Sequence, residues 1–169
     1  MSLSVLDGSQ AVLPTVRTRP SGQVLKWVGN KFRYAEVIAG YFPESIDTFF
    51  EPFVGTGAVL ATLAPERGVA SDALPTLVAL HQLVQKDPDS LLNHYSNSCD
   101  LIEAEGRSGY EKVKASYNDD PNPLDLLVVS RACYGGVMRF TRDGKISTPR
   151  GPHRMMSSEK LRGYMYDWQ

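Results

Sequence analysis

Residues 50–57, with the sequence FEPFVGTG, decide the fold, because they join a short apolar run to a helical segment through two closely spaced glycines. Residues 46–50 are rich in strand-forming side chains, and residues 58–64 have the composition of a helix. In α/β proteins this order opens a nucleotide pocket, since glycine lets a ligand approach the backbone and the helix start offers free N–H groups. We therefore predict a ligand-binding loop at Gly55 and Gly57.

A second strand and helix follow this loop. Residues 68–72 predict a short strand that ends in Asp72, and Pro75 suits the first position of a helix. A carboxylate at this place can accept hydrogen bonds from ribose hydroxyls, and the alternative for Asp72 is a helix N-cap. The loop lacks the third glycine of the dinucleotide fingerprint and the Gly-Lys-Ser/Thr ending of a P-loop, which argues against NAD and against a P-loop phosphate site.

The rest of the sequence predicts helices and then a hairpin. Residues 88–117 carry apolar groups at helical spacing, and Asn122-Pro123 opens a further helix that ends at Gly135-Gly136. Arg131 lies on an otherwise apolar face of that helix, where a snorkelling or paired arginine is more frequent than a ligand contact. Residues 137–148 predict a hairpin.

The composition indicates one globular domain and argues against several classes of protein. The chain has 169 residues, of which 42% are hydrophobic and 22% charged, and no apolar run approaches the ~20 residues that span a bilayer. Residues 1–20 have neither an apolar period nor a signal-peptide core, so we predict a flexible lead and a cytoplasmic protein. Two cysteines and three histidines at unsuitable spacings argue against a disulfide framework and a metal site.

The net charge of −1 conceals a segregation of charge along the chain. Residues 1–33 carry a formal charge of +4, residues 34–130 carry −10 and residues 131–169 carry +5. Two basic ends on either side of an acidic middle favour a protein that binds a polyanion such as nucleic acid. The alternative is that the segments form salt bridges with one another.

Three motifs resemble those of a known family. They are residues 25–31 (LKWVGNK), residues 50–57 (FEPFVGTG), and residues 134–140 (YGGVMRF) followed by residues 149–151 (PRG). In this order they resemble the S-adenosylmethionine-dependent DNA-adenine methyltransferases related to the enzymes that modify GATC, over roughly residues 24–169. The resemblance implies an α/β, Rossmann-like methyltransferase fold, not necessarily complete in this chain, with an inserted helical and β-hairpin region that recognises DNA. We accordingly predict a cofactor-binding α/β part over residues 21–87 and a DNA-recognition region over residues 88–169.

The resemblance implies S-adenosylmethionine as the cofactor. The matching cofactor-binding residues are Trp27, Lys31, Glu51, Pro52, Phe53, Gly55, Gly57 and Asp72. The Trp27 indole can lie against an adenine or near a sulfonium, the Lys31 ammonium can meet a carboxylate, and Asp72 would hold the ribose. Core packing is the alternative for Trp27. The chain departs from the family at Asn30, which replaces a glycine, and at Leu74, which replaces an asparagine.

In the family, the hairpin is the element that reads DNA. The matching DNA-binding residues are Val137, Arg139, Arg142, Lys145, Pro149 and Arg150. Arginine can bond guanine O6 and N7 together, so Arg139 is expected to read a base. The remaining cations of the region, Arg142, Lys145, Arg150 and Arg154, would contact phosphates. The alternative is a solvated basic hairpin, and Gly135, in place of an asparagine of the GATC enzymes, indicates a target other than simple GATC.

The catalytic motif of the family has no counterpart among the 169 residues. Family members hold the target amine with an Asp/Asn-Pro-Pro-aromatic tetrapeptide, and the eleven prolines of this chain are all isolated. We assign no catalytic residue and expect an N-terminal part of such an enzyme, with a C-terminal portion or a separate chain supplying the motif. The alternative is a catalytically inactive cofactor- or DNA-binding remnant. A cytosine-ring methyltransferase is excluded, because neither cysteine follows a proline.

Overall fold

The computed structural model describes residues 18–168, so the predicted lead lies almost entirely outside the described residues. This range forms a mixed α/β fold of seven α-helices and two β-strands. The helices are α1 (Ala35–Ala39), α2 (Ala58–Leu63), α3 (Pro75–Lys86), α4 (Pro88–Glu105), α5 (Arg107–Asp119), α6 (Pro123–Ala132) and α7 (Ser158–Tyr166), and the strands are β1 (Phe49–Glu51) and β2 (Gly68–Ala70). Within it, no helix is long and apolar enough to cross a bilayer, and no group of acidic, histidine or cysteine side chains is arranged to bind a metal ion.

Strands β1 and β2 form a parallel pair that is connected through α2. Helix α2 packs Val59 and Leu63 against Phe49 of β1 in a small core. Both strands lie where the sequence predicts them, but β1 begins only at Phe49 and β2 ends at Ala70, two residues before its predicted end. Strand length depends on backbone pairing with a neighbour, and for β1 that pairing begins where Phe49 N donates to the carbonyl of Arg67 at 2.9 Å.

The main hydrophobic core lies among helices α3 to α7. Most apolar residues at helical spacing in α3, α4 and α5 are buried, and they include Leu77, Leu80, Tyr95, Tyr110 and Val113. The helical stretch predicted over residues 88–117 is divided at Gly106, whose φ of 62° interrupts the helix. Val24 and Leu25 join the same core, which therefore unites residues on both sides of the predicted division at residue 87.

Helix α6 begins at the predicted cap. The side-chain oxygen of Asn122 accepts the N–H of Asp125 at 2.9 Å, as an N-cap does. The helix ends at Ala132, slightly before the predicted glycine pair. Gly135 and Gly136 form a separate turn in which their φ angles are 64° and 66°, a left-handed conformation that continues no helix.

Arg131 of α6 has a structural role, but as a buried side chain bonded to backbone carbonyls rather than as the snorkelling or paired arginine that the sequence predicts. Its side chain is buried, its Nε donates to the carbonyl of Val24 at 2.7 Å, and a terminal nitrogen donates to the carbonyl of Gln23. The carbonyl of Arg131 bonds in turn to His153 Nε2 at 2.7 Å. These bonds fix the segment that leads into Trp27 to the helix that leads into the hairpin.

A buried carboxylate links α4 to the start of α6. Asp125 is only 3% exposed, and its oxygens accept hydrogen bonds from His94 Nε2 at 2.8 Å and from Asn122 Nδ2 at 2.9 Å. Burial alone would raise the pKa of Asp125, but the bonds from His94 and Asn122 outweigh it and hold that pKa below its ordinary value.

We expect Asp125 to stabilise the fold at neutral pH and to lose this effect in acid. A carboxyl group with a lowered folded-state pKa contributes stability above its unfolded-state pKa of about 4, and the contribution disappears as the pH falls through the folded-state pKa. Asp125→Asn should lose about 1–3 kcal/mol of unfolding free energy at neutral pH, and its stability should fall less steeply in acid than that of wild type. Urea denaturation measures both quantities, with the exposed Asp119→Asn as the control. An acid dependence identical to wild type would contradict the assignment.

Candidate functional site

The loop between β1 and α2, residues 52–57, has a backbone that requires glycine at two positions. The φ angles of Gly55 and Gly57 are 49° and 69°, in the left-handed region. Gly57 also lacks space for a side chain, since an added Cβ would lie 3.2 Å from Trp168 Cζ3 and 3.3 Å from His81 Cε1. Gly55 is partly exposed, so a ligand can approach its backbone, whereas Gly57 is buried against Trp168 and His81.

Asp72, two residues beyond the end of β2, forms hydrogen bonds to this loop. Its Oδ2 accepts the N–H of Gly55 at 3.0 Å, and its Oδ1 accepts the N–H of Leu74 at 3.1 Å. The N-cap alternative for Asp72 is wrong, because the N-cap residue of α3 is Leu74. Each carboxylate oxygen can accept a further hydrogen bond beyond the one described, so the group can still receive hydroxyl hydrogens.

Trp27 lies beside the loop, whereas Lys31 bonds within its own turn. Trp27 is partly buried, and its Cδ1 lies 3.6 Å from the place that a Cβ of Gly55 would take. Trp27 also packs against the main core, so a ligand contact and core packing both fit its position. Lys31 is exposed, and its Nζ donates to the carbonyl of Gly29 at 2.7 Å. The structure thus brings together Trp27, Gly55 and Asp72.

Glu51 supports the loop through the helix that follows it. Its Oε2 accepts the N–H of Leu60, in the first turn of α2, at 3.1 Å. Burial raises the pKa of Glu51, and the bond from Leu60 offsets part of this effect. A carboxylate near the N-terminus of a helix interacts favourably with the helix dipole. We therefore assign Glu51 the structural role of stabilising the start of α2. Pro52 and Phe53 are exposed, and the Phe53 ring is 84% accessible.

His81 of α3 contacts the loop although no sequence motif includes it. Its Nε2 lies 2.8 Å from the carbonyl oxygen of Gly55, and because a carbonyl only accepts, Nε2 carries the proton. Burial lowers the pKa of His81, while the bond to Gly55 and the charge of Asp72 raise it in part. The available sequence signal was its spacing, since His81 follows the buried Leu77 by four residues and shares its side of the helix.

The hairpin predicted over residues 137–148 is present as a tight turn. Phe140 and Ile146 form an antiparallel bridge, and Thr141 N donates to the carbonyl of Lys145 at 2.8 Å. The hairpin is anchored to α5 by Asn118, whose side chain bonds to Ile146 N at 2.7 Å and to its carbonyl at 3.0 Å. This anchoring holds the turn in a defined position against the helices.

The residues predicted to bind DNA lie on or next to this hairpin. Val137, Arg139, Arg142, Lys145 and Pro149 are exposed, and Arg150 is partly exposed where it pairs with Cys133. None of the three arginines and the lysine forms an ion pair with a carboxylate in the part of the chain that the structure describes.

The first motif, residues 25–31, packs against the start of the third, residues 134–140. A Cβ on Gly136 would lie 3.2 Å from Lys26 Cβ.

Comparison with known proteins identifies the family. Residues 27–161, which include the loop, Asp72 and the hairpin, match the D12 class N6 adenine-specific DNA methyltransferases. The chain belongs to this family. Membership in the D12 class implies a methyl donor as a ligand.

The matched part of this chain corresponds to about half of several similar proteins. It is 27% identical over 149 residues to a DNA adenine methylase of Haemophilus influenzae, covering 86% of this chain and 51% of the relative. It is 28% identical to the Type II methyltransferase M.MjaIII of Methanocaldococcus jannaschii, covering 77% of this chain and 52% of the relative. It is 33% identical to the Type II methyltransferase M1.LlaDCHI of Lactococcus lactis subsp. cremoris, covering 76% of this chain and 47% of the relative. The chain therefore spans about half the length of these relatives.

Neither cysteine of this D12 class protein has the character of a nucleophile. Cys133 is buried, which raises its pKa to about 11, and burial also raises the pKa of Cys99. A thiol attacks as the thiolate, and the raised pKa values disfavour that form in both groups. This agrees with the amine specificity of the D12 class and not with cysteine-dependent transfer to a cytosine ring.

Proposed function

We propose that this chain carries the cofactor-binding and target-recognition parts of a DNA-adenine methyltransferase. Such an enzyme transfers a methyl group from S-adenosylmethionine to the exocyclic amine of adenine in duplex DNA. The observation that carries the proposal is the junction of Trp27, Gly55 and Asp72 in a member of the D12 class. A Rossmann-like fold with an inserted recognition region, divided near residue 87, is part of the same proposal.

The residues at the loop fit S-adenosylmethionine, which would supply the methyl group on its sulfonium. Asp72 is held by two backbone N–H groups and can still accept ribose hydroxyls, so its carboxylate is preorganised for a sugar. The Trp27 ring next to Gly55 is suited to an adenine face or a sulfonium, and an exposed Lys31 to a carboxylate. Gly55 is partly exposed, and the absence of a side chain there lets a ligand approach its backbone.

The hairpin region is proposed as the DNA-binding surface. Arg139 would read a base, Arg142, Lys145 and Arg150 would contact phosphates, and Val137 and Pro149 would line the interface. Among residues 18–168, the ion pairs that join a basic end of the chain to its acidic middle use Arg19 and Arg162, which leaves the hairpin cations available to phosphates. Duplex DNA is thus the proposed macromolecular partner.

A second proposed partner is the portion that supplies the catalytic motif. The exocyclic amine needs acceptors aimed at its hydrogens, and no Pro-Pro motif that could present them occurs among the 169 residues. A C-terminal portion or a separate chain would provide it.

The DNA-binding part is tested by two substitutions with different expected effects. Arg139→Ala should reduce the preference among DNA sequences, because a base contact carries sequence information. Lys145→Ala should weaken binding to all sequences alike and reduce the slope of log affinity against log salt by about one unit, because it removes a phosphate contact. Fluorescence anisotropy on a set of duplexes at several salt concentrations measures both, with Lys86→Ala as a charge-matched control outside the hairpin. Uniform loss of affinity in both variants would contradict base reading by Arg139.

A further inference from the structure

The two peptide planes on either side of Gly55 are held by different side chains. The Gly55 N–H, in the plane shared with Val54, donates to Asp72 Oδ2 at 3.0 Å. The Gly55 carbonyl, in the plane shared with Thr56, accepts from His81 Nε2 at 2.8 Å. The φ and ψ angles of Gly55 describe the rotation between these two planes. Asp72 and His81 together therefore fix the left-handed conformation of this residue.

We propose that His81 is a positioning residue for the methyl donor, an inference that rests on the proposed function of the loop. Glycine moves freely between left- and right-handed conformations, so its backbone needs external bonds to keep one shape. Asp72 would contact the ligand directly, and His81 would act through the loop by holding the carbonyl side of Gly55. Without that bond, the loop would sample other conformations, and the ligand would have to select the competent one.

The ring of His81 has a second contact that fixes where its donor points. It stacks on Trp168 with a centroid distance of 6.4 Å and an interplanar angle of 19°. Trp168 Nε1 donates to the carbonyl of Gly22 at 2.8 Å, which ties the indole to the segment that leads into Trp27. The His81 ring also lies against Gly57, where it and Trp168 occupy the space next to the missing side chain. His81 therefore contributes a ring shape and a hydrogen-bond donor, and substitutions can separate the two.

The experiment compares S-adenosylmethionine binding by residues 1–169 and by variants, using calorimetry. His81→Phe keeps a ring against Trp168 and Gly57 but removes the donor, and it should weaken binding by about three- to tenfold, the worth of one hydrogen bond. His81→Gln keeps an amide donor at a similar reach, and it should return affinity to within about twofold of wild type. Gln82→Ala, an exposed neighbour on α3, is the control and should bind as wild type does.

Backbone NMR gives a readout that does not depend on ligand binding. The amide resonances of Gly55 and Thr56 should shift in His81→Phe, return towards wild type in His81→Gln and stay in place in Gln82→Ala. Unchanged affinity in His81→Phe would overturn the proposal. A His81→Gln variant as weak as His81→Phe would also overturn it, because a hydrogen-bond donor at this position would then not restore binding. If wild type itself binds no S-adenosylmethionine, the proposed function fails. The amide resonances of Gly55 and Thr56 still test whether His81 holds the carbonyl of Gly55. If His81→Phe does not fold, His81→Leu, which also lacks a hydrogen-bond donor, takes its place in both measurements.

Discussion

Purified residues 1–169 are expected to transfer no methyl group to unmethylated duplex DNA. The amine of adenine is a weak nucleophile, and its attack requires acceptors that are already aimed at its hydrogens in the transition state. Removal of one such preorganised group costs about 10²–10³ in turnover in enzymes where it has been measured. This chain lacks the entire tetrapeptide that presents those groups in the family. Transfer of radiolabelled methyl groups to DNA, with and without an added polypeptide bearing the tetrapeptide, measures the effect.

The outcome with the added polypeptide separates the two interpretations of the chain. Activity that appears only in its presence would support a part of a divided or longer enzyme, and Asp72→Ala in the same mixture should then be strongly impaired. Absence of activity in both mixtures, with DNA or cofactor binding intact, would support the inactive remnant. Transfer by residues 1–169 alone would contradict the prediction, and the amine acceptors would have to be sought at Glu51, Asp72 and the hairpin.

Asp72→Ala is expected to weaken S-adenosylmethionine binding by about 1–3 kcal/mol, or about 5- to 150-fold. The substitution removes the carboxylate proposed to hold the ribose, and it also removes the acceptor for the N–H groups of Gly55 and Leu74. Both effects act in the same direction, since the loop loses a bond that preorganises it and the ligand loses a charged acceptor. Calorimetric titration of the purified chain measures the change.

Two further variants give this experiment its controls. Asp72→Asn keeps one oxygen acceptor and should lose less affinity than Asp72→Ala, whereas Asp47→Ala removes an exposed carboxylate outside the loop and should lose none. Unchanged affinity in Asp72→Ala would exclude Asp72 as the ribose ligand. A folded wild type that binds no cofactor would contradict the proposal that residues 1–169 carry the cofactor-binding part.

Several features of the fold follow from short-range rules and were therefore predictable. Pro75 begins α3 and Asn122 caps α6, because both residues act on the backbone within one turn of their own position. The buried faces of α4 and α5 follow from the spacing of residues such as Tyr95 and Tyr110. The limits of β1 were less predictable, because a strand extends only as far as its neighbour pairs with it.

The sequence by itself determined the family, the glycine loop, helices α2 to α6 and the location of the basic hairpin, since each depends on a contiguous motif or on local periodicity. Only the tertiary structure decided that His81 holds the carbonyl of Gly55, that Arg131 secures the segment before Trp27, and that Lys26 packs against Gly136. The partners in these three contacts are separated by 26 residues for His81, 107 for Arg131 and more than a hundred for Lys26. Such contacts have no local signal, because the side chains meet only after the helices have packed and the burial of apolar surface has brought distant segments together.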